Sequence, residues 1–246
     1  MLIIFCILFF IPHSFAFSLP DPYTTFSKLN LPPGVNGGSV SLDPLNQGPY
    51  VATSDGRILK YNGSDFMDFA YLSPNRDNLL GIPAPLGDST GRILEYNTVT
   101  GEVRALLKDL PRPAGPAVSA DGTFIAYGSY NTQQIFKYYL QGLKAGTTEV
   151  LVPELPGAPG ITKRAVEFGY FWVGVNQMVQ QQPTPVVQAY GYKFSSNGNV
   201  VLIKNFTTEY GNARVNVVQE YFNLLQGGTL YAGSRTSNYV GKYTKW

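Results

Sequence analysis

The sequence contains one cysteine and one histidine, Cys6 and His13, and both lie ahead of Ala16. Beyond that point there is no thiol nucleophile and no imidazole. Ser-His-Asp and Cys-His catalysis are therefore excluded from residues 17–246, as are zinc sites built on histidine or cysteine. Disulfides are excluded too, so a packed core must hold the fold. Chemistry is left to carboxylates, tyrosine, lysine or an oxygen-ligated metal. Charge is also scarce: Asp, Glu, Lys and Arg make up 14% of the chain, against a usual ~25%. The net charge is +2, and Lys163-Arg164 is the only basic pair. That is too little for the clustered basic face of a nucleic-acid binder, so no nucleic-acid partner is expected. No long helical periodicity is present, and no stretch after the N-terminus is apolar enough to span a bilayer.

The N-terminus has a different character. Leu2 to Ile11 is an unbroken apolar run, closed by Pro12 and followed by Ser14-Phe-Ala16. The run is shorter than the ~20 residues of a membrane span, and the small residues suit cleavage after Ala16. No Lys or Arg precedes it. A signal peptide over 1–16 is predicted, with a retained anchor as the alternative, and a single domain over 17–246 that enters the secretory pathway. Two tripeptides fit that route, Asn62-Gly-Ser64 and Asn205-Phe-Thr207, with Asn62 and Asn205 as candidate glycosylation sites.

Hydrophobic residues reach 44%, with 26 Gly, 18 Pro, 17 Tyr and 15 Phe, a composition of short strands, tight turns and aromatic packing. One phrase recurs. Asp55-Gly-Arg-Ile-Leu-Lys-Tyr61 is restated as Thr90-Gly-Arg-Ile-Leu-Glu-Tyr96, and more loosely at Gln134–Tyr138 and Tyr239–Thr244. Its alternation has the period of two of a β-strand. A second short strand precedes most copies: Tyr50–Thr53, Phe124–Tyr127 and Thr229–Ala232. Repetition of one β-unit at intervals of tens of residues predicts an all-β propeller-type array. Leu155-Pro-Gly-Ala-Pro-Gly160 carries too much Pro and Gly for a central strand and is expected to be a loop.

Several segments carry a family resemblance. They are Leu42–Tyr50, Gly56–Tyr61, Ser73-Pro-Asn-Arg76, Gly87-Asp-Ser-Thr-Gly-Arg92, Leu110–Phe124, Lys137–Thr147, Phe171-Trp-Val173 and Leu230–Ser234. In order and content they resemble plant strictosidine synthase-like proteins. The resemblance implies a six-bladed β-propeller, often vacuolar, whose founding activity is the condensation of tryptamine with the aldehyde of secologanin. Calcium-dependent lactonases and esterases share that propeller. Vacuole, endoplasmic reticulum and extracellular space are the implied destinations.

Departures from the family pattern matter as much. Only Asp77–Leu86 lies where relatives carry about two further strand groups. At ~40–50 residues per blade, the chain is too short for six blades, so an incomplete ring lacking one or more blades is expected. The family's channel-facing polar positions fall on Gly38, Ala114, Gly160 and Ile161, which have no side-chain oxygen. Calcium wants six to eight oxygens, so no metal site and no cofactor are expected. The family's catalytic Glu falls on Asn216, which cannot accept a proton. Glu220, four residues on and on the same strand face, is the substitute base if there is one; a structural carboxylate is the ordinary explanation.

Three readings of function follow. The first is a strictosidine synthase-like protein without catalytic Glu or metal ligands, binding a small molecule in the central channel, or a partner. The second is an active condensing lyase or ester hydrolase working through Glu220. The third is a shortened gene product, with its junction near Leu79–Leu86.

Overall fold

A computed structural model describes residues 20–43, 47–71, 89–97, 99–181, 183–224 and 227–245. The predicted signal peptide, the Ser73–Arg76 element and the Asp77–Leu86 junction lie outside them. Strand β1 (Tyr23–Asn30) comes first, followed by the meander β2 (Gly37–Ser41), β3 (Tyr50–Thr53), β4 (Arg57–Tyr61) and β5 (Phe66–Tyr71). A hairpin follows, β6 (Gly91–Tyr96) and β7 (Val103–Leu110). A second meander comprises β8 (Pro113–Val118), β9 (Phe124–Ser129), β10 (Gln134–Tyr139) and β11 (Thr148–Val152). A third comprises β12 (Ala158–Arg164), β13 (Tyr170–Val179), β14 (Val186–Ser195) and β15 (Val200–Asn205). After the one-turn helix α1 (Thr207–Tyr210) come β16 (Val217–Asn223), β17 (Gly227–Gly233) and β18 (Tyr239–Lys245).

Each meander pairs antiparallel in sequence order. In the last one the fourth strand is β1, which runs antiparallel to β18 from Tyr23↔Lys245 to Asn30↔Tyr239. The N-terminal strand therefore completes the C-terminal blade. The first strands of successive meanders lie side by side. Beta-12 and β16 pair in parallel at Ile161↔Val217, β12 packs on β8, and β16 packs on β2. Meanders set radially with their first strands innermost are the blades of a β-propeller. The described residues hold four four-stranded blades and two strands of another, which is a partial propeller.

The cores lie between the blades, which explains the apolar-on-both-sides strands. In β9, Phe124 and Ala126 face the β12–β15 blade, while Ile125 and Tyr127 face the β6–β7 hairpin. In β13, Phe171, Val173 and Val175 point one way and Trp172 the other. Beta-17 divides likewise, with Leu230 and Ala232 on one side and Tyr231 on the other. Strict alternation puts each set on opposite faces, so each blade glues two neighbours.

The repeated phrase marks a fixed place in this architecture. Beta-4, β10 and β18 are each the third strand of their blade. Its Arg57 pairs with Asp55 at 2.7 Å and with Asp68 at 2.7 Å, tying the turn to β5. Arg92, in the second copy, is exposed. One expectation is corrected. Residues 155–160 are not all loop, because β12 begins at Ala158 and includes Pro159 and Gly160. The ladder shifts register between Pro159 and Thr162, and a bulge of this kind accommodates a proline that donates no hydrogen bond.

Candidate functional site

Beta-2, β8, β12 and β16 all begin at one end of the channel and finish at the other, and the two ends differ chemically. Gly38, Ala114, Gly160, Ile161 and Asn216 gather at the starting end. Asn216 precedes β16, and its backbone oxygen accepts from Ile161 N–H at 2.7 Å. Its side-chain oxygen accepts from Arg235 N–H at 2.8 Å. A Cβ on Gly38 would lie 3.3 Å from Arg235 Cγ. A Cβ on Gly160 would lie 2.2 Å from the Asn216 backbone oxygen, so this glycine is required by a close backbone approach. Gly160→Ala is expected to destabilise the fold by about 1–3 kcal/mol, read as a lower urea midpoint at unchanged slope. An unchanged midpoint would show that the contact can relax. Among the described residues no group of three or more Asp, Glu, His or Cys is placed to share a metal ion.

Glu220 belongs elsewhere. Four residues along a strand is roughly 13 Å, and its side chain sits between two blades rather than beside Asn216. It is 6% exposed. The Tyr23 hydroxyl donates to Oε1 at 2.6 Å and the Val166 N–H donates to Oε2 at 3.0 Å. Lys193 Nζ stands 3.5 Å away and also pairs with Glu167 at 3.2 Å. Burial pushes the Glu220 carboxyl up, but the Tyr23 hydroxyl, the Lys193 ammonium and the Val166 amide together hold it below its ordinary value. Burial, reinforced by the Glu220 charge, pushes the Tyr23 phenol up. A general base works best with its pKa near the working pH; Glu220 is tuned away from that. Its oxygens instead join β1, β14 and the segment after β12. Lys204 adds a second tie at the same seam, donating to Asp21 at 2.7 Å and to the Tyr23 carbonyl at 2.7 Å.

The finishing ends of the four inner strands line a cavity of about 1080 Å³ that is broadly open to solvent. Leu42, Pro116, Val118, Thr162, Lys163 and Gln219 are in its lining, with Glu220 at the border. The Thr162 hydroxyl is fully buried without a hydrogen-bond partner. Tyr138, Tyr139, Tyr190 and Tyr192 stand on third strands, away from this channel. Tyr139 donates to Glu149 and Tyr190 packs edge-on to Tyr192 at 6.3 Å. Trp172 is core, with no exposure. Asn62 and Asn205 are both exposed. Asn62 Oδ1 accepts from the Ser64 and Asp65 N–H groups at 2.9 Å each, and Asn205 Oδ1 accepts from Thr207 N–H at 2.8 Å.

Sequence reasoning missed Tyr23 and Lys193, the partners of Glu220. The alternation in Tyr23–Asn30 was a signal for β1, but nothing local says that β1 closes the last blade. It also noted Lys163 only as half of a basic pair.

Blades set around a channel define an incomplete β-propeller. The profile of the strictosidine synthase family matches residues 75–143. Strictosidine synthase of Catharanthus roseus is 35% identical over 147 residues, covering 60% of this chain and 41% of that protein. Protein STRICTOSIDINE SYNTHASE-LIKE 11 of Arabidopsis thaliana is 31% identical over 166 residues, covering 68% and 49%. By these matches the chain belongs to the strictosidine synthase family, and it spans about half or less of the length of these relatives. A solved calcium-binding protein, regucalcin, from Agrobacterium tumefaciens is also similar, at 14% identity and TM-score 0.49, over 85% of this chain and 77% of that one. A gluconolactonase from Xanthomonas campestris follows at 11% and 0.45, over 85% and 71%.

Proposed function

We propose that the protein is a strictosidine synthase-like propeller of the secretory pathway that binds a small organic molecule in its channel and does not perform the family condensation. The observation that carries this reading is the contrast between the two channel ends. One end offers the Asn216 amide and glycines; the other opens a cavity of about 1080 Å³, at the upper edge of the ~300–1,000 Å³ usual for small-molecule sites. Apolar Leu42, Pro116 and Val118 beside polar Thr162 and Gln219 suit an amphiphilic ligand. Thermal shift against a panel of aromatic amines, aldehydes and terpenoid glycosides tests it. At least one compound is expected to raise Tm by several degrees at a hundredfold excess over Kd, a gain of about 2.7 kcal/mol. Val118→Trp, which adds bulk at an exposed position of the cavity lining, is expected to abolish that shift. A panel without effect, or a shift indifferent to Val118→Trp, would count against the reading.

The secretory route is supported by the apolar Leu2–Ile11 run and by the exposure of Asn62 and Asn205. Expression in plant cells followed by N-glycosidase digestion is expected to lower the product's apparent mass on a gel; an unchanged band would remove that support. Among the described residues no helix is long and apolar enough to cross a membrane. The active-enzyme reading has one observation in its favour: Glu220 borders the same cavity. It requires that Glu220→Gln abolish turnover of an amine–aldehyde pair or an ester.

A further inference from the structure

We propose that Lys163 is a nucleophilic amine that forms a covalent imine with an aldehyde or ketone held in the channel cavity. The inference rests on the cavity-binding reading above and gives its ligand a chemical class.

The placement comes from strand register. Lys163 on β12 pairs with Trp172 on β13, and Trp172 pairs with Lys193 on β14. Directly paired residues project from the same face of a sheet, so two lysines flank one buried indole. The neighbouring blade offers this face a single buried carboxylate, Glu220. Glu220 is bound by Tyr23, Val166 and Lys193, and Lys193 has Glu167 as a second partner. Among the described residues Lys163 has neither an ion pair nor a hydrogen bond through its amine. The other charged groups of the cavity lining are Asp43 and Arg164. Asp43 is occupied by the Gln47 N–H and the Tyr50 hydroxyl, and Arg164 is a second cation.

The consequence is electrostatic. Burial pushes the Lys163 ammonium below its ordinary pKa, with no counter-charge to oppose it. Desolvation of this kind raises the neutral, nucleophilic fraction of a lysine near pH 7. The step needs no co-reactant. The Lys163 nitrogen attacks the carbonyl carbon and a C–N bond forms. The carbonyl oxygen then takes up both amine protons and leaves as water, and a C=N bond remains. Nothing is oxidised or reduced.

Cinnamaldehyde with sodium cyanoborohydride tests this on the intact protein, because reduction traps the imine as a stable amine that peptide mass spectrometry locates. Lys163 is expected to be labelled several-fold faster than every other lysine. Lys163→Arg keeps the charge and is expected to lose this fast site while leaving slow surface labelling. Uniform labelling, or a preference for exposed lysines such as Lys108, would overturn the proposal. Cinnamyl alcohol, which cannot form an imine, separates the two readings. If it displaces a hydrophobic dye from wild type and from Lys163→Arg alike while no label reaches Lys163, the cavity binds ligands and the amine proposal fails. If the alcohol does not bind and no label appears, both fail.

Discussion

Glu220→Ala is expected to destabilise the protein by about 3–5 kcal/mol, the usual result of breaking a buried charge pair by removing one partner. The substitution strips the Tyr23 hydroxyl and the Val166 N–H of their acceptor. It also leaves Lys193, whose side chain is 11% exposed, with only the largely solvated Glu167. The loss would appear in urea unfolding as a lower midpoint at unchanged slope. Glu220→Gln keeps an acceptor for Tyr23 and should cost less. The acid dependence has a definite sign. Glu220 is held below its ordinary pKa in the fold, so its contribution is present above the unfolded value of about 4.3. It is lost as pH falls through the lower folded value. In wild type, stability should therefore drop across that acidic window, and Glu220→Gln should flatten the drop. A change of under about 0.5 kcal/mol in Glu220→Ala, the size of an ordinary surface substitution, would mean that Glu220 is not a structural tie.

Deleting residues 20–30 is expected to abolish cooperative folding. Beta-1 is the fourth strand of the last blade, and its ladder with β18 joins the first described strand to the last. Tyr23 and Leu29 are 1% and 7% exposed and belong to two different inter-blade cores. The deletion would uncover the β18 edge, an invitation to edge-to-edge aggregation, and would remove Tyr23 from Glu220 and Asp21 from Lys204. The summed loss should exceed the lower end of the ~5–15 kcal/mol that small proteins possess. Calorimetry should show no sharp transition, and the product should aggregate. A soluble, monomeric product with a wild-type Tm would contradict the completion of the last blade by β1.

Much of this fold is legible in the sequence because alternation and turn chemistry are local. The repeat phrase located the third strand of several blades, and the strands around Phe124, Phe171 and Val217 followed from their apolar periodicity. What was hidden depends on distance in sequence. Pro159 and Gly160 argue locally for a loop, yet the inner strand tolerates them at a bulge and at a close approach to Asn216. Parity alone places Asn216 and Glu220 on one strand face, yet Asn216 precedes β16, and parity says nothing about depth. The two residues belong to opposite ends of the channel and to different neighbours. The partners that give Glu220 its role come from Tyr23, Val166 and Lys193, and no local pattern announces such a convergence. Lys163 looked like half of a charge pair, and only the strand register shows that it shares its face with Lys193, which takes both nearby carboxylates, Glu220 and Glu167.

The most direct measurement of the central claim is incubation of the purified protein with tryptamine and secologanin, followed by chromatography of the products. Asn216 cannot accept a proton, and among the described residues the one buried carboxylate near the channel, Glu220, is committed to Tyr23, Val166 and Lys193. Positioned acid–base groups supply about 10²–10⁴-fold in rate, and none stands at the starting end of the inner strands among the described residues. The predicted result is no condensation product above the uncatalysed background. Product that scales with protein concentration and disappears in Glu220→Gln would contradict the account.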